Sequence, residues 1–475
     1  MKNMKLSNLL NLFKVDKNLI NKTMSIALEK GGDYCDLYFQ NKIANYISLE
    51  DKSVNKAHTN IDFGVGIRVI KGDQTGYSFT EEISPKSMES AAQTAANIAN
   101  GTKKTPPFEL KIHNIPDYYP IKTQWEHVNI EQKISILKII NEKIFSLDKR
   151  VIKSNIMFMD ESSYILIASS DGRICFDFQP MTTIAASCTA EQNGKKEQNS
   201  FSISGREDIN FFTSSILERL AKETVSRTVK LFDAIKSKPG EMEIVMASGS
   251  SGILLHEAIG HGMEADFNRK KISIFSDKIN KQVAEKIVSI VDDGIVHHMR
   301  GSINIDDENI DTEKTFLVKN GILKSYLHDR ISSEYFKVKP TGNGRRQSFR
   351  YAPIPRMRNT YMLPGPHKKD EIIKSVKQGL YTEFFSNGQV LIGAGDFTFY
   401  VKSGFLIENG KLTYPVKDIN IIGNGPDVLN KVVMVADDLK MAEGAWTCGK
   451  DGQNIPVSMG LPTIKVSSIT VGGVR

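Results

Sequence analysis

Residues 163–178 read SYILIASSDGRICFDF. Two β-branched, apolar-rich runs flank Asp171-Gly172, a dipeptide of the kind that closes tight hairpins. The next stretch repeats the pattern. TTIAASCTAEQ (182–192) and EQNSFSIS (197–204) flank Asn193-Gly194. An antiparallel meander follows from these two signals. Working toward the N-terminus, DYCDLYFQ (33–40) alternates as a strand. GVGIRVI (64–70) and GYSF (76–79) flank the turn KGDQ as another hairpin. Gly64 and Gly66 lack the third glycine and the following helix of a dinucleotide fingerprint, so they are read as strand or bulge glycines.

Helical patterns sit between the strands. One spans about Asp16 to Lys30 and stops at Gly31-Gly32; another opens at Ser84-Pro85 and closes by Gly101. A third covers Ile130–Leu147 and a fourth about Asp208 to Ala234. Lys236–Gly240 (KSKPG) reads as a linker. The sequence therefore predicts an α+β protein of two domains, antiparallel sheets with flanking helices, divided into 1–238 and 239–475. The second domain is expected to be strand-rich. It opens with the strand EMEIVMA (241–247). TFLVKNGILKSYL (315–327) and GFLIENGKLTYPV (404–416) both turn at Asn-Gly. Shared turn chemistry explains their likeness better than an internal duplication does.

Composition narrows the function classes. The 475 residues are 40% hydrophobic and 25% charged, the balance of an ordinary globular protein. The net charge of +7 is small for this length and scattered; it could help attract acidic partners but is a weak argument for a nucleic-acid binder, and none is expected. Four widely spaced cysteines argue against a disulfide framework and for a reducing cytoplasm. Leu6, Leu9, Leu10 and Phe13 mark a short amphipathic helix rather than a signal peptide, and no run is apolar enough to span a membrane.

The stretch that carries chemistry is Leu255–Gly262, LHEAIGHG. Zinc proteases use H-E-x-x-H, with histidines four apart on one helical face. Here His256 and His261 are five apart. In a regular helix that step turns about 500°, leaving the imidazoles about 140° apart. Either a π-type turn or a distortion at Gly260 would bring them back together. His256 could instead be a hydrogen-bonded core residue. A catalytic zinc asks for a third protein ligand. Glu264, Asp266, His297, His298 and Cys448 are available. Cys35, Cys175 and Cys188 lie in strand-like runs, whereas Cys448 sits in the glycine-flanked TCGKDGQ, read as a loop, and is the better ligand of the four cysteines.

LLHEAIGHGMEADFNRK, VDDG, GSINIDDE, PTGNGRRQS, PRMRNTYMLPG and CGKDGQNIPV together resemble the TldD/PmbA (TldE) metalloprotease family. The resemblance runs from DYCDLYFQ to PTIKVSSITVGG. It implies one divalent metal per subunit, zinc, bound by His256, His261 and Cys448, with Glu257 as general base. It also implies a two-domain subunit that pairs with a homologous TldE (PmbA) subunit lacking the ligands, or with itself. Ser403-Gly404 stand before FLIENGK where the family leads one to expect an acidic residue. The expected activity is hydrolysis of unfolded or flexible polypeptides in the cytoplasm. Arg345 and Arg346, with Arg350, Arg356 and Arg358 nearby, are candidates to hold a peptide carbonyl or carboxylate; a solvated basic loop is the plainer reading. The competing class is a non-enzymatic protein-binding regulator, of a toxin–antitoxin pair or of DNA gyrase.

Overall fold

The computed structural model describes residues 6–101 and 106–473. The hairpin signals decide the first half. Strands β1 (Tyr34–Glu50), β2 (Ser53–Lys71), β3 (Gln74–Thr80), β4 (Lys111–Ile112), β5 (Val151–Ser169), β6 (Arg173–Gln192) and β7 (Lys195–Gly205) form one seven-stranded sheet. Its order is β3-β2-β1-β5-β6-β4, with β7 also on β6. β1 runs on to Glu50, well past the alternating DYCDLYFQ. Asn193 and Gly194 both take positive φ, 53° and 75°, as the tight β6–β7 turn requires.

Helices cover one face of this sheet. α1 (Leu6–Leu12) and α2 (Lys17–Ala27) come first; Asp16 caps α2 by accepting from Leu19 N. α3 (Pro85–Ala96) is capped by Ser84, α4 (Ile130–Leu147) by Asn129. α5 (Ser214–Val229) is shorter than the sequence suggests, because 3₁₀ turns replace α-helix at 209–211 and 230–233. The strand period of two then assigns faces. Cys35, Leu37 and Phe39 of β1 pack with α2 and α3, whereas Tyr38 packs with Ile305 and Phe349 of the second half. Gly64 and Gly66 of β2 serve the same contact. A Cβ at Gly64 would lie 2.4 Å from the Phe349 ring, and one at Gly66 would lie 2.5 Å from Phe349 O. Close approach, not turn geometry, explains those glycines.

The second half starts at β8 (Gly240–Met246). It holds two six-stranded sheets. One comprises β9 (Ile290–Asp293), β10 (Lys314–Lys319), β11 (Ile322–Leu323), β14 (Asn359–Met362), β19 (Lys440–Met441) and β22 (Ser458–Leu461). The other joins β8 to β15 (Gln378–Leu391), β16 (Asp396–Glu408), β17 (Lys411–Asn424), β18 (Val432–Val435) and β23 (Ile464–Gly473). β12 (Gly344–Arg345) pairs with β13 (Ile354–Pro355), and β20 (Thr447–Lys450) with β21 (Gln453–Pro456). The two Asn-Gly hairpins, β10–β11 and β16–β17, fall in different sheets. Between the sheets lies a large apolar core that includes Leu254, Leu255, Ala258 and Ile259 around the LHEAIGHG stretch.

Candidate metal centre

Ile253–Leu255 is one turn of α-helix, and His256–Gly260 continues it as a π-helix. The His261 N–H donates to His256 O, the i→i+5 bond that a five-residue histidine spacing demands. Gly260 keeps ordinary helical φ and ψ of −59° and −48°, so it is not the point of distortion. Its role is spatial: a Cβ there would lie 2.0 Å from Met357 Sδ.

The π turn brings the imidazoles together, with ring centroids 5.1 Å apart and planes at 79°. Cys448 joins them from β20. Its Sγ lies 3.5 Å from His261 Nε2, and one ligating atom from each of the three residues falls within 4.8 Å of the others. TCGKDGQ is therefore strand, turn and strand, not loop. The turn is Asp451-Gly452, with φ of 48° and 70°. All three side chains are buried.

Around them runs a charged relay. His261 Nδ1 meets Glu264 Oε2 at 3.0 Å. Lys450 Nζ donates to the same oxygen at 3.1 Å and to Asp266 Oδ1 at 2.8 Å. Burial opposes charge on each group, yet the neighbours prevail. Lys450 and His261 hold the Glu264 carboxyl down at about 2. The two imidazoles hold the Cys448 thiol well below its usual range, and Glu264 with Cys448 holds His261 well above its own. A thiolate favoured against burial, beside two imidazoles, is a site that draws positive charge.

These donors fit a zinc-type ion. Two nitrogens and one sulfur make a three-ligand set that leaves a fourth position open. Glu264 supplies the carboxylate that commonly fixes a ligating histidine. His256 Nδ1 is buried with no hydrogen-bond partner among the described residues.

Glu257, half-buried, points with His261 and Lys450 into a cavity of about 1000 Å³. Phe267, the ends of β15, β16 and β17, and Asp396 complete its wall. Ser403-Gly404 do not line it. Gly404 pairs with Thr382 in the sheet, where a Cβ would meet Tyr381 O at 2.2 Å. Arg345 and Arg346 are elsewhere as well. Arg345 is buried and donates to Met357 O and Pro456 O; Arg346 pairs with Asp36 at 3.2 Å. Neither is a solvated loop residue. Arg358 is buried against Asp292, Arg356 donates to Cys448 O, and Arg350 pairs with Asp62 and Glu81. His297 and His298 lie near Tyr118 and Glu207. The residue that sequence reasoning passed over is Lys450. The signal was there, a lysine two places after Cys448 and hence on the same face of a strand.

Three domain models of one family match the chain in succession. They are the PmbA/TldA metallopeptidase domain 1 over residues 35–99, the central domain over 124–232 and the C-terminal domain over 239–473. A metalloprotease TldD homolog of Buchnera aphidicola (Acyrthosiphon pisum) is 40% identical, and the match covers 93% of each chain. The chain belongs to the PmbA/TldD metallopeptidase family. A metalloprotease TldD homolog of Haemophilus influenzae is 38% identical over 93% of each chain. A zinc metalloprotease TldD homolog of Saccharolobus solfataricus is 29% identical, covering 95% of this chain and 99% of its own. In shape, the chain is similar to a crystal structure from Thermotoga maritima described as a candidate modulator of a DNA gyrase. The TM-score is 0.78 at 21% identity, over 96% of this chain and 100% of that one. Among the described residues no helix is long and apolar enough to cross a membrane.

Proposed function

We propose that this family member is a zinc-dependent peptidase that cleaves peptide bonds in unfolded or flexible polypeptides. One observation carries the reading: three ligating atoms converge within 4.8 Å beside a cavity that also receives Glu257. His256, His261 and Cys448 would hold the ion. When bound, it supplies Lewis acidity toward water and toward the scissile carbonyl oxygen. The zinc named for the Saccharolobus solfataricus relative supports the choice of metal.

The chain's own residues do the rest. Glu257 takes the proton of the attacking water and returns it to the leaving amine nitrogen. Glu264 holds His261 in one tautomer through Nδ1, and Lys450 holds Glu264. The cavity is roomy enough for an extended segment, and its β-strand walls suit an unfolded chain better than a folded surface. A thiolate in the donor set makes for a softer Lewis acid than three imidazoles, so turnover is expected to be modest. The working form is taken as a cytoplasmic dimer, with a homologous TldE-type (PmbA) subunit or a second copy. Regulation by binding alone, of gyrase or of a toxin–antitoxin pair, would leave this donor set without a task.

The test is zinc content and peptide cleavage on the same preparation, with and without the homologous subunit. One zinc per chain is expected, with cleavage of an unfolded substrate that stops on chelation and returns with zinc. Cleavage indifferent to the chelator would reject the reading.

A further inference from the structure

A second cavity, of about 270 Å³, lies where the first sheet meets the second half. Arg206, Arg300, Arg345, Arg346 and Lys42 line it, against two carboxylates, Glu161 and Asp307. Arg206 and Arg345 are only 1% and 3% exposed. Buried guanidiniums ordinarily sit against carboxylates. Arg346 does, through Asp36. The other three have no carboxylate at ion-pair distance among the described residues. Arg345 donates to Met357 O at 2.7 Å and Pro456 O at 2.9 Å. Arg300 donates to Trp446 O and Ser204 Oγ, each at 2.9 Å. Arg206 lies over the Tyr119 ring at 4.8 Å and feels the Asp177 carboxylate from beyond ion-pair distance, but its hydrogen-bond partners are poor, Pro180 O and Gln179 Oε1, both at 3.4 Å. Its Nε is buried with no hydrogen-bond partner among the described residues, as is the Nε of Arg346.

The negative groups do not make up the difference. Asp307 accepts from Arg346 N, and burial pushes its carboxyl up. Glu161 answers Lys42 at 3.8 Å. Burial also pulls Arg345 down to about 9 even though Asp307 draws it up, so the positive charge there is only partly answered. A single peptide carboxylate would leave part of that excess standing. A doubly charged tetrahedral oxyanion matches several planar guanidinium forks at once. The cavity is also smaller than the usual range for drug-sized ligands and far too small for a peptide segment.

We propose that this cavity binds a small multivalent oxyanion of the phosphate class, either free phosphate or the phosphoryl group of a small monoester. The site is separate from the metal centre, and the inference does not rest on the peptidase reading. The two cavities share one element, the β20–β21 hairpin. Thr447 and Pro456 at its base, with Ile455 and Asn454 further along the second strand, face the arginines; Gly449, Lys450 and Asp451 toward its tip face the metal cavity. Cys448 stands between them. An oxyanion held by Arg345, itself bonded to Pro456 O, would brace the base of the hairpin that carries the thiolate.

The experiment is calorimetric titration of the full-length protein with inorganic phosphate and, separately, glycerol 3-phosphate, at fixed ionic strength in chloride buffer. Saturable binding of either supports the proposal, and the tighter of the two identifies the source. Arg206→Gln should weaken binding about tenfold or more. Met181→Glu guards against a variant that misfolds. Met181 lines the same cavity, and a carboxylate there should take the anion's place, raise the melting temperature and abolish phosphate binding. No saturable binding of either probe to the wild type overturns the proposal. So does phosphate binding that persists undiminished in both variants, which would put the anion at the metal centre or elsewhere.

Discussion

Glu257 and Cys448 separate chemistry from metal binding. Glu257→Gln removes the proton acceptor and none of the three donor atoms. Zinc content should stay at the wild-type level while peptide hydrolysis falls by about 10²-fold or more. Hydrolysis at the wild-type rate would take the base role from Glu257. Cys448→Ser should lower zinc content, since a serine hydroxyl is a far poorer ligand than a thiolate. Glu264 acts at one remove. Its neutral isostere, Glu264→Gln, leaves His261 without a charged partner, and zinc affinity should fall by about 10–100-fold. A competition titration with a chromophoric chelator reads both. The histidines were legible in the sequence because residue type and spacing are local. Lys450 was legible only in its place two residues after Cys448; its role was not, because its carboxylate partners Glu264 and Asp266 stand more than a hundred residues earlier.

Two short elements, the π turn and the β20–β21 hairpin, place the three donors. Five-residue spacing called for local irregularity, a π turn or a distortion at Gly260, since a regular helix cannot turn both imidazoles to one side, but it did not choose between them. The hairpin was harder to see. Its Asp451-Gly452 turn is a standard signal, but its strands have four residues each, and the buried positions of β20 are Cys448 and Lys450. A buried lysine breaks the apolar alternation by which a strand is recognised. Arg345 and Arg346 mislead for the same reason: long-range partners bury residues that read as a basic loop. The π turn depends on the gap filled by Gly260. Gly260→Ala should drive a methyl into Met357, lowering both the melting temperature and zinc affinity. Adding Met357→Ala should return part of each loss, and no recovery would show that the glycine serves something else. The helix Arg330–Phe336 offers a pH test. Asp329 caps it by accepting from Ser332 N, and burial raises its carboxyl to about 6. The folded state therefore holds that proton more tightly than the unfolded chain, whose carboxyl titrates near 3.8. Stability from this group is present at low pH and is lost as pH rises through about 6. Asp329→Asn keeps the cap without the charge. It should raise the melting temperature at pH above 7, with the gain disappearing near pH 4.

The molecule as a whole is joined through charge as well as apolar packing. Odd-numbered positions of β1 take the helices, and the opposite face meets the second half. Near the start of β1 that face carries Asp36 beside Tyr38, so it reads as polar although both residues are buried. Arg68 of β2 explains how. Its Nε donates to Asp36 Oδ2 at 2.7 Å and its Nη1 to Glu308 Oε1 at 2.6 Å, with all three side chains wholly inaccessible. Arg346 adds a second cation to Asp36. The sequence could show that strands and helices alternate in the first half, but not which distant carboxylate neutralises Arg68. Arg68→Met should test the joint at its centre. The methionine fills most of the volume and strands the buried Glu308 carboxylate, while Asp36 keeps Arg346, so the unfolding free energy should drop by about 3–5 kcal/mol. Glu308→Gln added to Arg68→Met removes one stranded charge and should recover part of that loss. Denaturant unfolding followed by fluorescence and by circular dichroism would check both. If Arg68→Met left the midpoint within error of the wild type, the two halves would be held by apolar contact alone, and the buried pairs would be incidental to it.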